Sequence, residues 1–310
     1  MEHICVDKGS DNCPCILMES GQCYTCSMIR RGKCDCSSLW QGVCPYTEYL
    51  QGNKRVKKPV VAREYTLCCI KSYSPTLSVL TIETPIAFGL KCEGMGSFLM
   101  IKWKEWFVPI SVLRVRLDYE TQLSYIELAV NATGPKTIGI LKSAMVGKKV
   151  CVKGPFYSGL CNVDSFRKEA PSLVIAKGIA VMPLINSKDL YRRRLKLFIL
   201  DNSKLTDGFL TEYFNGIDFE SVNLEEEAFE IAERLKEEYG YCFGENQRPN
   251  LFLMTSPYYV EKFLNLTGFS RKNVITPNHS NMCCGEGYCG SCSFSDKDGV
   301  TVKRCKCIDE

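Results

Sequence analysis

Twenty cysteines stand in this 310-residue chain against only two histidines, and their placement limits what the chain can fold into. Eight lie within the first 44 residues and six within the last 28. The other six, Cys68, Cys69, Cys92, Cys151, Cys161 and Cys242, are scattered between and read as small buried hydrophobes. The opening residues Met1-Glu2-His3-Ile4-Cys5 lack the basic flank and apolar core of a signal peptide. A cytoplasmic, reducing setting is therefore expected, where clustered cysteines serve metals or redox chemistry more often than disulfides.

The two cysteine-rich ends differ in pattern. Residues 1–58 space their thiols regularly: Cys5, seven residues, Cys13-Pro-Cys15, seven, Cys23-x-x-Cys26, seven, Cys34-Asp-Cys36, seven, Cys44. Neighbours in Cys-x-Cys are too close for an unstrained disulfide with each other. A stretch this poor in aliphatic residues needs a metal staple to fold. Cys13, Cys15, Cys23, Cys26, Cys34, Cys36 and Cys44 are the candidate ligands, for iron–sulfur chemistry first and zinc second. The tail, residues 277–310, reads Cys283-Cys284-Gly285-Glu286-Gly287-Tyr288-Cys289-Gly290-Ser291-Cys292, with Cys305 and Cys307 beyond. Cys284, Cys289 and Cys292 have the C-x4-C-x2-C spacing of a plant-type [2Fe–2S] site, which needs one more distal thiolate. Cys305 and Cys307 both qualify for that place. The glycines between let a tight loop turn its thiols inward. A zinc site would more often show two short cysteine pairs.

Between the ends, 45% hydrophobic and 24% charged residues describe an ordinary folded chain. Lys and Arg exceed Asp and Glu only 39 to 35, too little to argue for a nucleic-acid partner. No apolar run approaches the ~20 residues of a membrane helix. A charged stretch, Asn53-Lys54-Arg55-Val56-Lys57-Lys58-Pro59, reads as a linker. Residues 59–168 carry short apolar or alternating runs (60–70, 77–83, 97–103, 108–117, 123–130 and 149–153) parted by turn residues, which predicts a small antiparallel barrel. Residues 169–276 alternate apolar runs at 172–176, 196–200 and 251–254, with weaker ones at 218–222 and 273–275, with helical patterns at 224–239 and 257–266. In the longer helix Leu224, Ala228, Ala232, Leu235 and Tyr239 share one face, and Gly240 suits its C-terminal cap. Strand–helix alternation predicts a doubly wound parallel sheet. The fold class is multi-domain α+β, a barrel followed by an α/β domain, with small metal-binding units at both ends.

This order of parts, together with the tail's CGxGxCxxC run, resembles the ferredoxin reductase superfamily over about residues 60–310. Within it, the electron-transfer subunit of dihydroorotate dehydrogenase B and sulfide-dehydrogenase-like proteins are most similar. The resemblance implies an FAD-binding barrel, an NAD(P)H-binding α/β domain, and a [2Fe–2S] cluster that passes electrons to a partner. The flavin motif R-P-I-S resembles Val108-Pro109-Ile110-Ser111, with Val108 in the arginine's place and Arg114 or Arg116 as substitutes. Gly94-Met95-Gly96-Ser97-Phe98 resembles the P-G-x-F stretch, and Gly154-Pro155-Phe156-Tyr157-Ser158-Gly159 the G-P-x-G-x-G run. The glycine-rich turn before a barrel helix resembles Gly134-Pro135-Lys136-Thr137, a phosphate site if a helix begins there. The nicotinamide motif G-G-I-G-x-A-P-L becomes Lys177-Gly178-Ile179-Ala180-Val181-Met182-Pro183-Leu184, and C-G-P becomes Thr255-Ser256-Pro257. A side chain at Lys177 or Ala180 would crowd a dinucleotide whose phosphates approach bare backbone.

The expected cofactor-binding residues are thus Pro109, Ile110, Ser111, Gly134, Lys136, Thr137, Lys177 and Gly178. The expected function is an oxidoreductase subunit passing electrons between NAD(P)H, FAD and a [2Fe–2S] cluster. Its partner would be a catalytic oxidoreductase subunit or a ferredoxin-like protein, in a hetero-oligomer. One alternative is an iron–sulfur adaptor with a decayed nicotinamide pocket. The other is a zinc-stapled scaffold. Arg192-Arg193-Arg194 and the linker lysines read as solvated faces.

Overall fold

A computed structural model describes residues 3, 5–34, 43–239, 248–296 and 299–307. Cys36, Gly240 and Cys242 lie outside the described residues. The chain divides into two compact units: residues 63–279 form one, and residues 1–62 form the other together with residues 280–309.

In the larger unit, six antiparallel strands close into a barrel: β1 (Arg63–Ser72), β2 (Leu77–Pro85), β3 (Phe98–Trp103), β4 (Trp106–Asp118), β5 (Leu123–Asn131) and β6 (Lys149–Phe156), in the order β1-β2-β5-β4-β3-β6. Each predicted run became a strand. The β3 and β4 register sets Phe98 against Ser111 and Trp103 against Trp106. The interior is filled by Leu67, Ile82, Leu99, Val112, Ile126 and Leu128, all fully buried. Helix Pro135–Ser143 lies over Trp103: a Cβ on Gly139 would stand 2.2 Å from its indole, so only glycine permits that approach.

After the short strand β7 (Leu160–Cys161), the α/β part has β8 (Ser172–Lys177), β9 (Leu195–Asp201), β10 (Glu220–Ser221), β11 (Asn250–Met254) and β12 (Val274–Pro277). The sheet runs β10-β9-β8-β11-β12-β7, parallel throughout except for antiparallel β7. Alternate residues serve opposite faces. Leu173, Ile175, Leu251 and Leu253 pack beneath helices Leu224–Tyr239 and Pro257–Thr267. Val174, Ala176, Phe252 and Met254 pack on the other side with Phe209 and Tyr213 of helix Asp207–Tyr213, and with Leu77, Val79 and Leu113 of the barrel. Glu127, 3% exposed, fastens this joint: it accepts two hydrogen bonds from Arg114, both 3.0 Å, and one of 2.8 Å from the Tyr213 hydroxyl.

The smaller unit joins the two ends of the chain. Short helices Ile16–Glu19, Ser27–Arg31 and Pro45–Gln51 come from the N-terminal part, and a hairpin of β13 (Ser293–Ser295) and β14 (Thr301–Lys303) from the tail. Cys5 bridges Cys307 in antiparallel fashion, and the Val6 amide donates to the Lys306 carbonyl at 2.8 Å. Lys306 and Asp7 form a buried ion pair. Leu17, Tyr24, Val302 and Cys307 make the small apolar core. Gly287, with φ +84°, brings the tail against helix Ile16–Glu19, where a Cβ would meet Leu17 at 3.1 Å. The sequence reading treats the two cysteine-rich ends as separate units; the fold makes them one.

Candidate functional site

In the tail, the thiols of Cys284, Cys289, Cys292 and Cys305 neighbour one another. Cys284, Cys292 and Cys305 are buried, while Cys289 is exposed. The Cys305 thiol hydrogen-bonds to the sulfurs of both Cys284 and Cys292, and Cys289 also reaches Cys284. Backbone N–H groups point at the same sulfurs: Glu286 donates to Cys284 Sγ at 3.3 Å, and Cys305 to Cys292 Sγ at 3.4 Å. The hydrogen bond from Cys305 lowers the Cys284 and Cys292 thiols below their ordinary value against the opposing effect of burial, while Cys305, the donor, is pushed up.

Of the two distal cysteines, Cys305 joins this group. Cys307 lies against the N-terminal part instead, its sulfur 3.7 Å from His3 Nδ1, while His3 Nε2 meets the Asp296 carboxylate at 2.7 Å. Nothing in the local pattern singled out His3, because its partners are about 300 residues away in sequence. Cys283 is exposed.

The N-terminal thiols surround a cavity of about 260 Å³. Cys13, Cys15, Cys23 and Cys26 line it, with Cys34, Cys44 and also Cys5, which the sequence reading left out of the ligand set. No disulfide links the described cysteines. Among the described residues, no three His, Cys, Asp or Glu side chains form a ready single-ion site.

On the barrel, β4 separates the residues of its motif. Pro109 is exposed and Ser111 half-buried, whereas Val108 and Ile110 belong to the barrel core. Strand alternation therefore removes the Ile110 side chain from any ligand on the outer face. Arg114 and Arg116 do not replace the missing guanidinium: both are drawn to Glu127, Arg114 by the two bonds above and Arg116 at 3.2 Å, and Arg114 also reaches Glu212 at 3.1 Å. Gly134 caps helix Pro135–Ser143. Thr137 Oγ1 accepts from its amide at 3.3 Å and donates to its carbonyl at 3.1 Å, so this hydroxyl is used in the cap. A Cβ on Gly134 would meet nothing within 4 Å, and exposed Lys136 stands 4.4 Å from the Trp106 ring centroid. The helix start therefore leaves open space for a diphosphate group, with the Lys136 charge beside it.

The loop expected to meet a nucleotide follows β8 at the centre of the parallel sheet, the point where strand order reverses and where ligands bind in such sheets. Gly178 has φ +52°, as the turn requires. Lys177 turns to the Asp201 carboxylate at the end of β9 and is 3.7 Å from Glu225. Burial tends to raise the Asp201 carboxyl, but hydrogen bonds from Lys177, Ser203 and Leu224 prevail and hold it below its ordinary value. Lys177 thus has its charge matched within the protein. Asp201 follows Gly178 by 23 residues, near the place where such folds put a ribose-binding acid; that spacing was a signal the sequence offered. Thr255 is buried, its carbonyl 2.8 Å from His279 Nε2. Arg192 and Arg194 pair with Asp189 and Glu169 on the surface, as solvated residues do.

Solved structures share this architecture. An NADH-dependent reduced ferredoxin-NADP oxidoreductase, described for flavin-based electron bifurcation, is similar over 78% of this chain and 85% of its own, with TM-score 0.56 and 15% identity. The fold is that of the ferredoxin reductases. Phthalate dioxygenase reductase, a modular protein for electron transfer from pyridine nucleotides to [2Fe–2S], is similar over 80% of this chain and 96% of its own, with TM-score 0.52 and 12% identity. A type IV self-sufficient cytochrome P450 monooxygenase matches 84% of this chain but only 42% of its own, with TM-score 0.53 and 13% identity. No protein-family model matches the chain, and no curated protein matches it in sequence. Identities this low carry the ferredoxin reductase fold alone. Among the described residues no helix is long and apolar enough to cross a membrane.

Proposed function

We propose that this protein is an electron-transfer oxidoreductase subunit. It takes electrons from reduced pyridine nucleotide by way of a barrel-bound flavin. It passes them singly through a [2Fe–2S] cluster to a partner, either a catalytic oxidoreductase subunit or a ferredoxin-like protein. The observation that carries the proposal is the gathering of Cys305 onto Cys284 and Cys292, with Cys289 alongside, in a chain of ferredoxin reductase fold. Flavin, when bound, supplies exchange between two-electron and one-electron carriers. The chain's own residues do the rest. Cys284, Cys289, Cys292 and Cys305 are the four thiolate ligands, and the Glu286 and Cys305 amides hydrogen-bond ligand sulfur, an arrangement that tunes potential. Lys136 and the start of helix Pro135–Ser143 hold the flavin diphosphate. Asp201, near the place where such folds put a ribose-binding acid, is held by Lys177, Ser203 and Leu224 and would have to release Lys177 to meet a ribose hydroxyl.

Anaerobic purification with flavin, iron and sulfide quantification tests the proposal. A rhombic EPR signal after dithionite, lost in Cys305→Ser and kept in Cys307→Ser, is the expected result, together with NADH-dependent bleaching of the flavin bands. Colourless protein holding zinc without iron or sulfide would leave a metal-stapled scaffold instead. The Lys177–Asp201 ion pair favours a second reading, an iron–sulfur adaptor whose nucleotide loop is closed. Equilibrium dialysis separates the two: tight binding of NADH or NADPH counts against the adaptor.

A further inference from the structure

We infer that the N-terminal part holds a second redox centre, a four-iron cluster seated in the cavity of about 260 Å³ and bound by thiolates of Cys13, Cys15, Cys23 and Cys26. Its first support is size. A zinc ion held by four thiolates at ~2.3 Å needs only the small space between them. At ~30 Å³ per water, this cavity has room for about nine waters, which suits a cubane core of irons and sulfides rather than a lone ion.

The second support is the wall. Seven cysteines line the cavity where a cubane needs only four. Cys13 and Cys26 are 9% and 8% exposed, so these thiols sit in the protein rather than on its surface. Leu17, Met18 and Tyr24 on the same wall are also buried and keep water from the guest. The third support is an orphaned donor: the Thr25 hydroxyl, on the cavity wall, is buried without a hydrogen-bond partner. A buried hydroxyl left unpaired costs about 1–3 kcal/mol, and sulfide or thiolate sulfur inside the cavity gives it an acceptor.

The site is separate from the tail's thiol group but belongs to the same compact unit, joined to it through the Cys5–Cys307 bridge and the Asp7–Lys306 ion pair. The unit is then a two-cluster module made from the chain's two ends.

The test is iron and acid-labile sulfide per chain in anaerobically purified full-length protein, with Mössbauer spectra, for three forms. Wild type is expected to hold about six iron, and the Cys15→Ser/Cys23→Ser variant about two, with the tail's rhombic EPR signal kept. The Cys284→Ser/Cys305→Ser variant is expected to keep about four iron with a cubane quadrupole doublet, and this arm decides the matter if the first variant fails to fold. Wild type with about two iron and the balance in zinc overturns the inference. So does a Cys15→Ser/Cys23→Ser variant with its iron unchanged, or a tail variant with none. Wild type with about four iron, unaffected by the tail substitutions, supports the N-terminal cluster and defeats the tail reading alone.

Discussion

Replacing Lys177 by methionine tests how the loop after β8 is held. The substitution keeps the aliphatic stem and removes the ammonium from Asp201, whose side chain is 2% exposed while that of Lys177 is 22% exposed. Two unit charges ~4 Å apart at an effective dielectric of ~20 interact by about 4 kcal/mol. The partial exposure of Lys177 reduces this. The carboxylate also keeps the amides of Ser203 and Leu224, each at 3.2 Å. A loss of roughly 1–3 kcal/mol remains, below the 3–5 typical of stripping a fully buried partner. The pH dependence has a definite sign. Asp201 is held below its ordinary value in the folded state, so the pair's stabilisation is fully present above the unfolded carboxyl's ~3.9 and disappears as pH falls through the folded value. Urea denaturation followed by far-UV circular dichroism should show the full gap between wild type and Lys177→Met at pH 7, narrowing below about pH 4. A gap under ~0.5 kcal/mol, or one unchanged between pH 7 and 3, would refute the reasoning. In dialysis, Lys177→Gly should bind NADH several-fold more tightly than wild type, since the loop then regains bare backbone.

Other substitutions probe the frame around the sites. Gly139→Ala puts a methyl 2.2 Å from the Trp103 indole; overpacking of that kind costs about 1–3 kcal/mol, and thermal denaturation with flavin content as a second readout will show it. Arg114→Ala takes the bidentate partner from Glu127, leaving Arg116 and Tyr213 on it; a loss of about 2–3 kcal/mol in urea is expected. Asp7→Asn breaks the buried pair with Lys306, which ties the two ends of the chain, and should destabilise that unit by about 3 kcal/mol; limited proteolysis is expected to release the tail from Asp7→Asn before wild type.

What the sequence determined by itself was local. Period-two runs located the barrel strands, period-3.6 spacing gave helix Leu224–Tyr239 with its buried face, and C-x4-C-x2-C marked the loop that brings Cys284, Cys289 and Cys292 together. These patterns repeat within one turn, one strand or one loop, so backbone geometry alone translates them. The tertiary structure decided everything that joins distant residues. It set Cys305 rather than Cys307 beside the other tail thiols, brought both chain ends into one unit, and added Cys5 to the N-terminal cavity. It placed Val108 and Ile110 in the barrel core, held Arg114 and Arg116 on Glu127, and turned Lys177 to Asp201. The physical reason is that a charge or thiol takes the partner that packing brings within a few ångströms, and no spacing along the chain encodes that neighbour.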